Sequence, residues 1–393
     1  MHDARLMPQI PTRNVWLSAF GMYLLRLRSF NALEQELRVG KRWEAWVGSR
    51  KPSADTIGRV FAKMSPDELR QLLVAIQAGA WRRKAIHLRP GESYRVVAVD
   101  GHEVCASRAR CCSECLVREV TVGGETVLEY YHRIVVAQWV GVTPPPILDL
   151  ERVSPKEGEV PAARRLLKRV LRHYSRLIDV ICADALYLEA PFLKQVIEAG
   201  KHAVIVMKQE RRDLYQDAER LRSLVEPQIL VDGHRTTRLW DLPEMSSFTT
   251  LNQPVRVVWV EEQTRKRKIV AGKPKDILEQ KTWIWVTDLP SAVVPPTKIQ
   301  RWGHDRWDLE NRGFGELVTL WHMDHCFIHN TTAIETLLLT LALAFVTSYL
   351  FYERNIKPSA RRHLTRLALA ARLVDDLTLL QGASVWPAIQ RSG

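Results

Sequence analysis

The stretch YRVVAVD, residues 94–100, decides the fold. It is apolar and β-branched and stops at Asp100-Gly101, so it reads as a buried strand with a carboxylate at its carboxyl end. Two further strands follow, LVREVTV (116–122) and TVLEYYHRIVVAQWV (126–140), separated by Gly123-Gly124, a pair that marks a hairpin turn. Helical period then returns from Glu159 to Arg176, where Ala163, Leu166, Leu167, Val170, Leu171 and Tyr174 make one face and Arg164, Arg165, Lys168, Arg169 and Arg172 the other. LIDVICAD (177–184) is another buried strand and again ends on an aspartate, Asp184. A helix from Ala190 closed by Gly200 and a strand, HAVIVMK (202–208), complete the run.

Three meandering strands followed by helical crossovers is the element order of an α/β, ribonuclease-H-like mixed sheet, in which carboxylates gather at the central strands; on its own this is fold analogy. The stretch from about Glu226 to Leu289 departs from it, with RVVWV, KIVAG and TWIWVTD read as strands of an inserted β-rich subdomain. Helical pattern resumes near Thr297 in KIQRWGHDRWDLENRGFGELVTLWHMDH, where Glu310 lies one turn after Arg306 and shares its face.

Upstream of residue 94 the pattern is helical. Ser53 precedes Ile57, Val60, Phe61 and Met64 at amphipathic spacing, and Ser65-Pro66-Asp67-Glu68 carries an N-cap serine, proline at N1 and a capping-box glutamate. With Arg59 and Lys63 facing outward, the two helices read either as a DNA-reading helix-turn-helix or as a helical packing domain. The expected organisation is a helical, DNA-binding segment 1–90, a first part of the core 91–225, the insertion 226–296, and a catalytic helix with helical carboxyl terminus 297–393.

The chain has 393 residues, 46% hydrophobic and 26% charged, the composition of a globular protein with room for a sizeable core. Its net charge of +13 predicts attraction to a polyanion, nucleic acid first. The start MHDARLMPQIPTRN lacks the apolar core of a secretory signal, so a cytosolic protein is expected. Ala333 to Tyr352 is long enough to span a bilayer but contains Glu335 and hydroxyl residues, and it reads as a buried core helix, with no membrane partner expected.

Phosphodiester chemistry needs charge stabilised on both the attacking and the leaving oxygen, and two hard divalent ions held by carboxylates do this. Asp100 and Asp184 each end a buried strand with no basic residue evident beside them; the competing reading is that each merely caps the loop that follows. Cys105, Cys111, Cys112 and Cys115 crowd between the first two strands, with His102 and His132 near. In a reducing compartment this cluster reads either as structural zinc, with Cys112-x2-Cys115 as one arm, or as incidental thiols.

VAVDGH (Asp100), ICADALY (Asp184) and RWDLEN (Arg306 to Asn311) resemble the DDE transposases of bacterial insertion sequences, of the IS-four superfamily. The resemblance implies a ribonuclease-H-like core, a β-rich insertion before the glutamate, and a Tyr-x2-Arg-x3-Glu-x6-Lys signature around it. It implies Asp100, Asp184 and Glu310 as catalytic ligands of two Mg²⁺ or Mn²⁺ ions, and double-stranded DNA, element ends and target, engaged by a homodimer. Arg306 and Glu310 fit the signature; its tyrosine falls on Gly303, beside Trp302, and its lysine on Leu317. Lys298, Arg301, His304 and Arg312 are the substitutes at hand for phosphate contacts, alongside Arg306, with a plain surface role as the other reading for each of the four. Relatives stack an insertion tryptophan on a flipped base. Trp283 and Trp285, which share one strand face, are the candidates, with cover of a small core as the other reading. Metal-dependent cleavage of element ends and joining of the 3′ hydroxyl to target DNA is the expected activity. A domesticated nuclease of the same fold and a non-catalytic DNA-binding regulator are the alternatives.

Overall fold

The computed structural model describes residues 5, 7–39, 43–143, 145–208, 212–270 and 273–378. Along the chain the helices longer than one turn are α1 (Thr12–Leu24), α2 (Phe30–Val39), α3 (Ala54–Phe61) and α4 (Pro66–Arg82). The strands β1 (Val96–Ser107), β2 (Leu116–Val122), β3 (Glu125–Val140) and β4 (Ile147–Val153) follow, then α5 (Glu159–Tyr174), β5 (Val180–Ala183), α6 (Ala190–Glu198), β6 (His202–Val206) and α7 (Asp213–Arg222). The insertion supplies β7 (Gln228–Asp232), β8 (Arg235–Met245), β9 (Val255–Val270) and β10 (Lys273–Thr287). Helices α8 (Pro296–Asp308), α9 (Gly315–Trp321), α10 (Thr331–Asn355) and α11 (Arg366–Thr378) close the described chain. This is a mixed α/β protein with helices at both ends, and its element order and strand neighbours are those of the ribonuclease-H-like mixed sheet expected from sequence.

The chain divides into two compact units, one of residues 1–92, 101–173 and 310–393, the other of residues 93–100 and 174–309. In the first, α10 is apolar on every side, and a helix of that kind must be covered on every side. Its Ala333 to Val346 stretch is almost wholly buried, against α1, α3, α4 and β4. The amino-terminal helices therefore do not stand apart: α3 turns Ile57, Val60 and Phe61 inward and leaves Arg59 exposed, as its periodicity predicts. Ser53 caps α3 through Thr56 N–H at 3.3 Å, whereas Ser65, at the expected cap of α4, makes no side-chain cap bond. Glu335, the one acid within Ala333 to Val346, is explained by a largely buried charge network. Arg70 pairs with it and with Asp149 (3.0 Å); Arg169 holds Asp149 (2.9 Å) and Arg152 holds Glu335 (3.2 Å).

In the same unit β3 is long enough to serve two partners. Residues 125–131 pair with β2 through the Gly123-Gly124 turn, whose φ values of 60° and 90° need glycine or a similarly tolerant residue, and residues 133–138 pair with β4. β1 neighbours β3.

The second unit takes the opening of β1. Val96–Val99 lie parallel to Val180–Ala183 of β5, and β5 lies parallel to β6. Where a separate inserted subdomain is expected from sequence, β10 pairs with β6 through Trp285↔Val206 and Val286↔Ile205, and β9, β8 and β7 add on in antiparallel succession. The reason is burial on both faces: Ile284, Trp285, Val286 and Thr287 are all at most 5% exposed, so this end of β10 is an interior strand and needs a neighbour on each edge. α8 packs across β5, β6, β9 and β10.

Candidate active-site carboxylates

β1 and β5 place Val99 opposite Ala183, so Asp100 and Asp184 follow at the same level; β5 ends there, whereas β1, expected from sequence to stop at Asp100, continues to Ser107. Adjacent strands are about 4.8 Å apart, so the two aspartates occupy neighbouring backbone positions. Asp184 is half-buried and its Oδ1 accepts from Leu186 N–H at 2.9 Å, capping the turn Ala185–Tyr187. The capping role and a ligand role are compatible, because an ionised carboxylate has about four lone-pair sites.

Asp100 is 9% exposed, and its Oδ2 accepts from Arg306 Nη1. This corrects two expectations. A basic partner does stand beside Asp100, and Arg306, at 3% exposure, is placed to neutralise a buried carboxylate rather than to meet a phosphate from an exposed surface. A buried carboxylate without a cation is costly, and α8 brings one to it as it crosses the sheet. The pair is separated by 206 residues in sequence, which is why local reading misses it.

Glu310 is exposed and directly follows α8 and Leu309. The regular helix expected to hold Arg306 and Glu310 on one face gives way at Leu309 to a π-helical turn, Leu309–Phe314. The wider i→i+5 turn breaks the 3.6-residue phase, and such turns recur at functional sites.

Around α8 the other signature positions take up different work. Gly303 lies against Trp285 so closely that a Cβ there would fall within the indole. The signature's tyrosine is thus replaced by a glycine that makes room for a tryptophan from β10. Gly303→Ala is expected to cost about 1–3 kcal/mol through overpacking, read as a fall in denaturation midpoint with unchanged denaturant slope. Leu317 is 0% exposed in α9, so no cation occupies the signature's lysine position.

Trp285, 1% exposed, is core and not available to stack on a base, which removes it from that role. Trp283 is half-buried, 4.3 Å from Trp307 edge to face and stacked on Trp285 at 6.4 Å. His304 lies edge-on to both and 3.3 Å from Glu262, whose carboxyl is held below its usual range first by that contact. The Lys298 ammonium lies 5.5 Å over the Tyr94 ring, and Arg301 is exposed on α8. The Arg312 side chain lies outside the described residues. In the first unit Arg59 and Lys63 are both exposed; Arg59 borders a cleft of about 1020 Å³ together with Asn31, Asp55, Arg110 and His325.

The four clustered cysteines part company. Cys112 and Cys115 converge with His132 of β3 and His329, the residue before the α10 cap Asn330, all four ligand atoms lying within 4.8 Å of one another. Cys111 is exposed, and Cys105 is buried with its N–H on Asp324 O, so the all-cysteine set expected from spacing is not the one assembled. His102 stacks on Phe314 instead of joining. His329 is the member that sequence reading missed; its signal was the Cys326-x2-His329 spacing.

The family model described as Transposase DDE domain matches residues 135–347, more than half of the chain. The match takes in Asp184 and Glu310 and begins after Asp100. No curated protein matches the chain.

Proposed function

The chain belongs to the DDE transposase family, and on that premise we propose that it is a bacterial insertion-sequence transposase of the IS-four type, cleaving element ends and joining the freed 3′ hydroxyl to target DNA. Asp100, Asp184 and Glu310 are assigned as its catalytic carboxylates. The observation carrying the reading is Asp100, within β1, and Asp184, just past the end of β5, following the paired residues Val99 and Ala183 of neighbouring parallel strands, with Asp100 tied to an arginine four residues ahead of Glu310.

The donors fit the divalent ions the family implies, since carboxylate oxygens are the ligands that Mg²⁺ and Mn²⁺ prefer. Once bound, such ions supply an activated water or hydroxyl nucleophile and stabilise the leaving oxygen. The protein groups do the positioning. Arg306 pairs with Asp100 in a buried setting and holds its Oδ2. The Leu186 N–H fixes one oxygen of Asp184. DNA is held elsewhere, through exposed cations including Arg59, Lys63 and Arg301, by the counterion release that makes affinity fall steeply with salt. Arg59→Ala with Lys63→Ala is expected to lower the slope of log affinity against log salt by about 2 in a fluorescence-anisotropy titration, each lost phosphate contact taking roughly one unit; an unchanged slope would place these two cations off the DNA.

The test is a strand-transfer assay with Mg²⁺ and linear duplexes carrying the DNA that flanks the reading frame on either side. Joined products are expected. Cleavage without joining would support a nuclease of the same fold, and binding without cleavage a regulator.

A further inference from the structure

Four side chains from three places in the first unit meet with the dimensions of an occupied metal site. A tetrahedral zinc with Zn–S of about 2.3 Å and Zn–N of about 2.0–2.1 Å implies ligand–ligand edges of about 3.8 Å between sulfurs, about 3.5 Å from sulfur to nitrogen and about 3.3 Å between nitrogens. Here Cys112 Sγ to Cys115 Sγ is 3.7 Å, His132 Nε2 is 3.5 and 3.6 Å from the two sulfurs, and His132 Nε2 to His329 Nε2 is 3.3 Å. One edge is shorter, Cys115 Sγ to His329 Nε2 at 2.8 Å, a separation that a shared ion would widen.

We propose that Cys112, Cys115, His132 and His329 bind one structural Zn²⁺ in a Cys₂His₂ site. Two soft thiolates with two imidazoles select zinc over the hard ions suited to carboxylates. Cys115 and His132 are buried and Cys112 and His329 half-buried, a closed setting typical of structural rather than catalytic zinc. His329 presents Nε2 to the cluster while its Nδ1 lies 3.5 Å from Cys326 Sγ, the kind of outer partner that fixes a ligating imidazole.

The ion would join three segments remote in sequence: the loop between β1 and β2, strand β3, and the turn that enters α10. Unlike the carboxylate chemistry, this assignment is independent of the transposase reading and has its own readouts.

Full-length protein purified without chelator is expected to hold about one zinc per chain by elemental analysis, and its Co²⁺-substituted form to show the visible spectrum of a tetrahedral thiolate-imidazole site. Cys112→Ser, His132→Ala and His329→Ala should each empty the site, while Cys111→Ser and Cys105→Ser should leave zinc content unchanged. Cys326→Ala should retain zinc with affinity lowered about 10–100-fold. Native protein with no zinc and no tetrahedral cobalt spectrum would overturn the proposal, whether or not the ligand variants fold. Loss of zinc from Cys111→Ser as complete as from Cys112→Ser would overturn this ligand set.

Discussion

Asp184→Asn protein is expected to bind element-end DNA with near wild-type affinity and to lose cleavage and strand transfer by about 10³-fold or more. Removing one preorganised electrostatic group costs about 10²–10³-fold in catalysis, and a carboxylate that holds a divalent ion is worth at least that. Glu310→Gln, at an exposed position, should behave the same way. Asp100→Asn is different, because it also takes the partner charge from a buried arginine, and breaking a buried pair costs about 3–5 kcal/mol. Pairing it with Arg306→Met should return much of the stability and none of the activity. Gel assays of cleavage beside denaturant titration separate the two losses. Wild-type turnover by Asp184→Asn would remove that residue from the site, and full activity in the Asp100→Asn, Arg306→Met double variant would remove Asp100.

The second large effect concerns stability alone. Arg70→Ala takes away the cation shared by Asp149, 5% exposed, and Glu335, partly buried amid an apolar packing surface. Such a break costs about 3–5 kcal/mol. Each acid keeps a second arginine, Arg169 or Arg152, so the expected loss is at the lower end, about 3 kcal/mol. Urea denaturation of the full-length protein measures it; a loss below about 1 kcal/mol would mean that the acids are solvated and the network contributes little.

The sequence reveals what short-range patterns encode. VVAVD and VICAD are legible as strands because they are apolar and β-branched, and they do pair in parallel, but the first runs on past Asp100 to Ser107, where the polar residues that follow give no strand signal. The inward face of α3 is legible from the spacing of Ile57, Val60 and Phe61. Arg306 is read from sequence as a phosphate contact, and the fold buries it against Asp100 instead. Its partner is 206 residues away, and nothing in RWDLEN tells a buried ion pair from a phosphate contact. Trp285 fails in the same way, since a tryptophan facing a base and one filling the space over Gly303 look alike in sequence. The π-helical turn at Leu309 is invisible to a 3.6-residue template, which assumes the very phase that the turn interrupts. Two of the zinc-type ligands come from a short Cys-x2-Cys arm, whereas His329 becomes a candidate only once folding brings the end of the chain back to its middle.

That return of the chain sets a timetable for synthesis. Helices α1, α3 and α4 complete their cover only on α10, whose first residue, Thr331, is made 249 residues after the last residue of α4, Arg82 (331 − 82). At about 5–20 residues per second, a ribosome needs on the order of ten to fifty seconds to bridge that interval. Throughout it the apolar faces of the first helices wait without their main partner. A message that breaks off before α10 is therefore expected to yield an aggregation-prone chain rather than a working amino-terminal DNA-binding fragment able to compete with the full-length protein for its own sites.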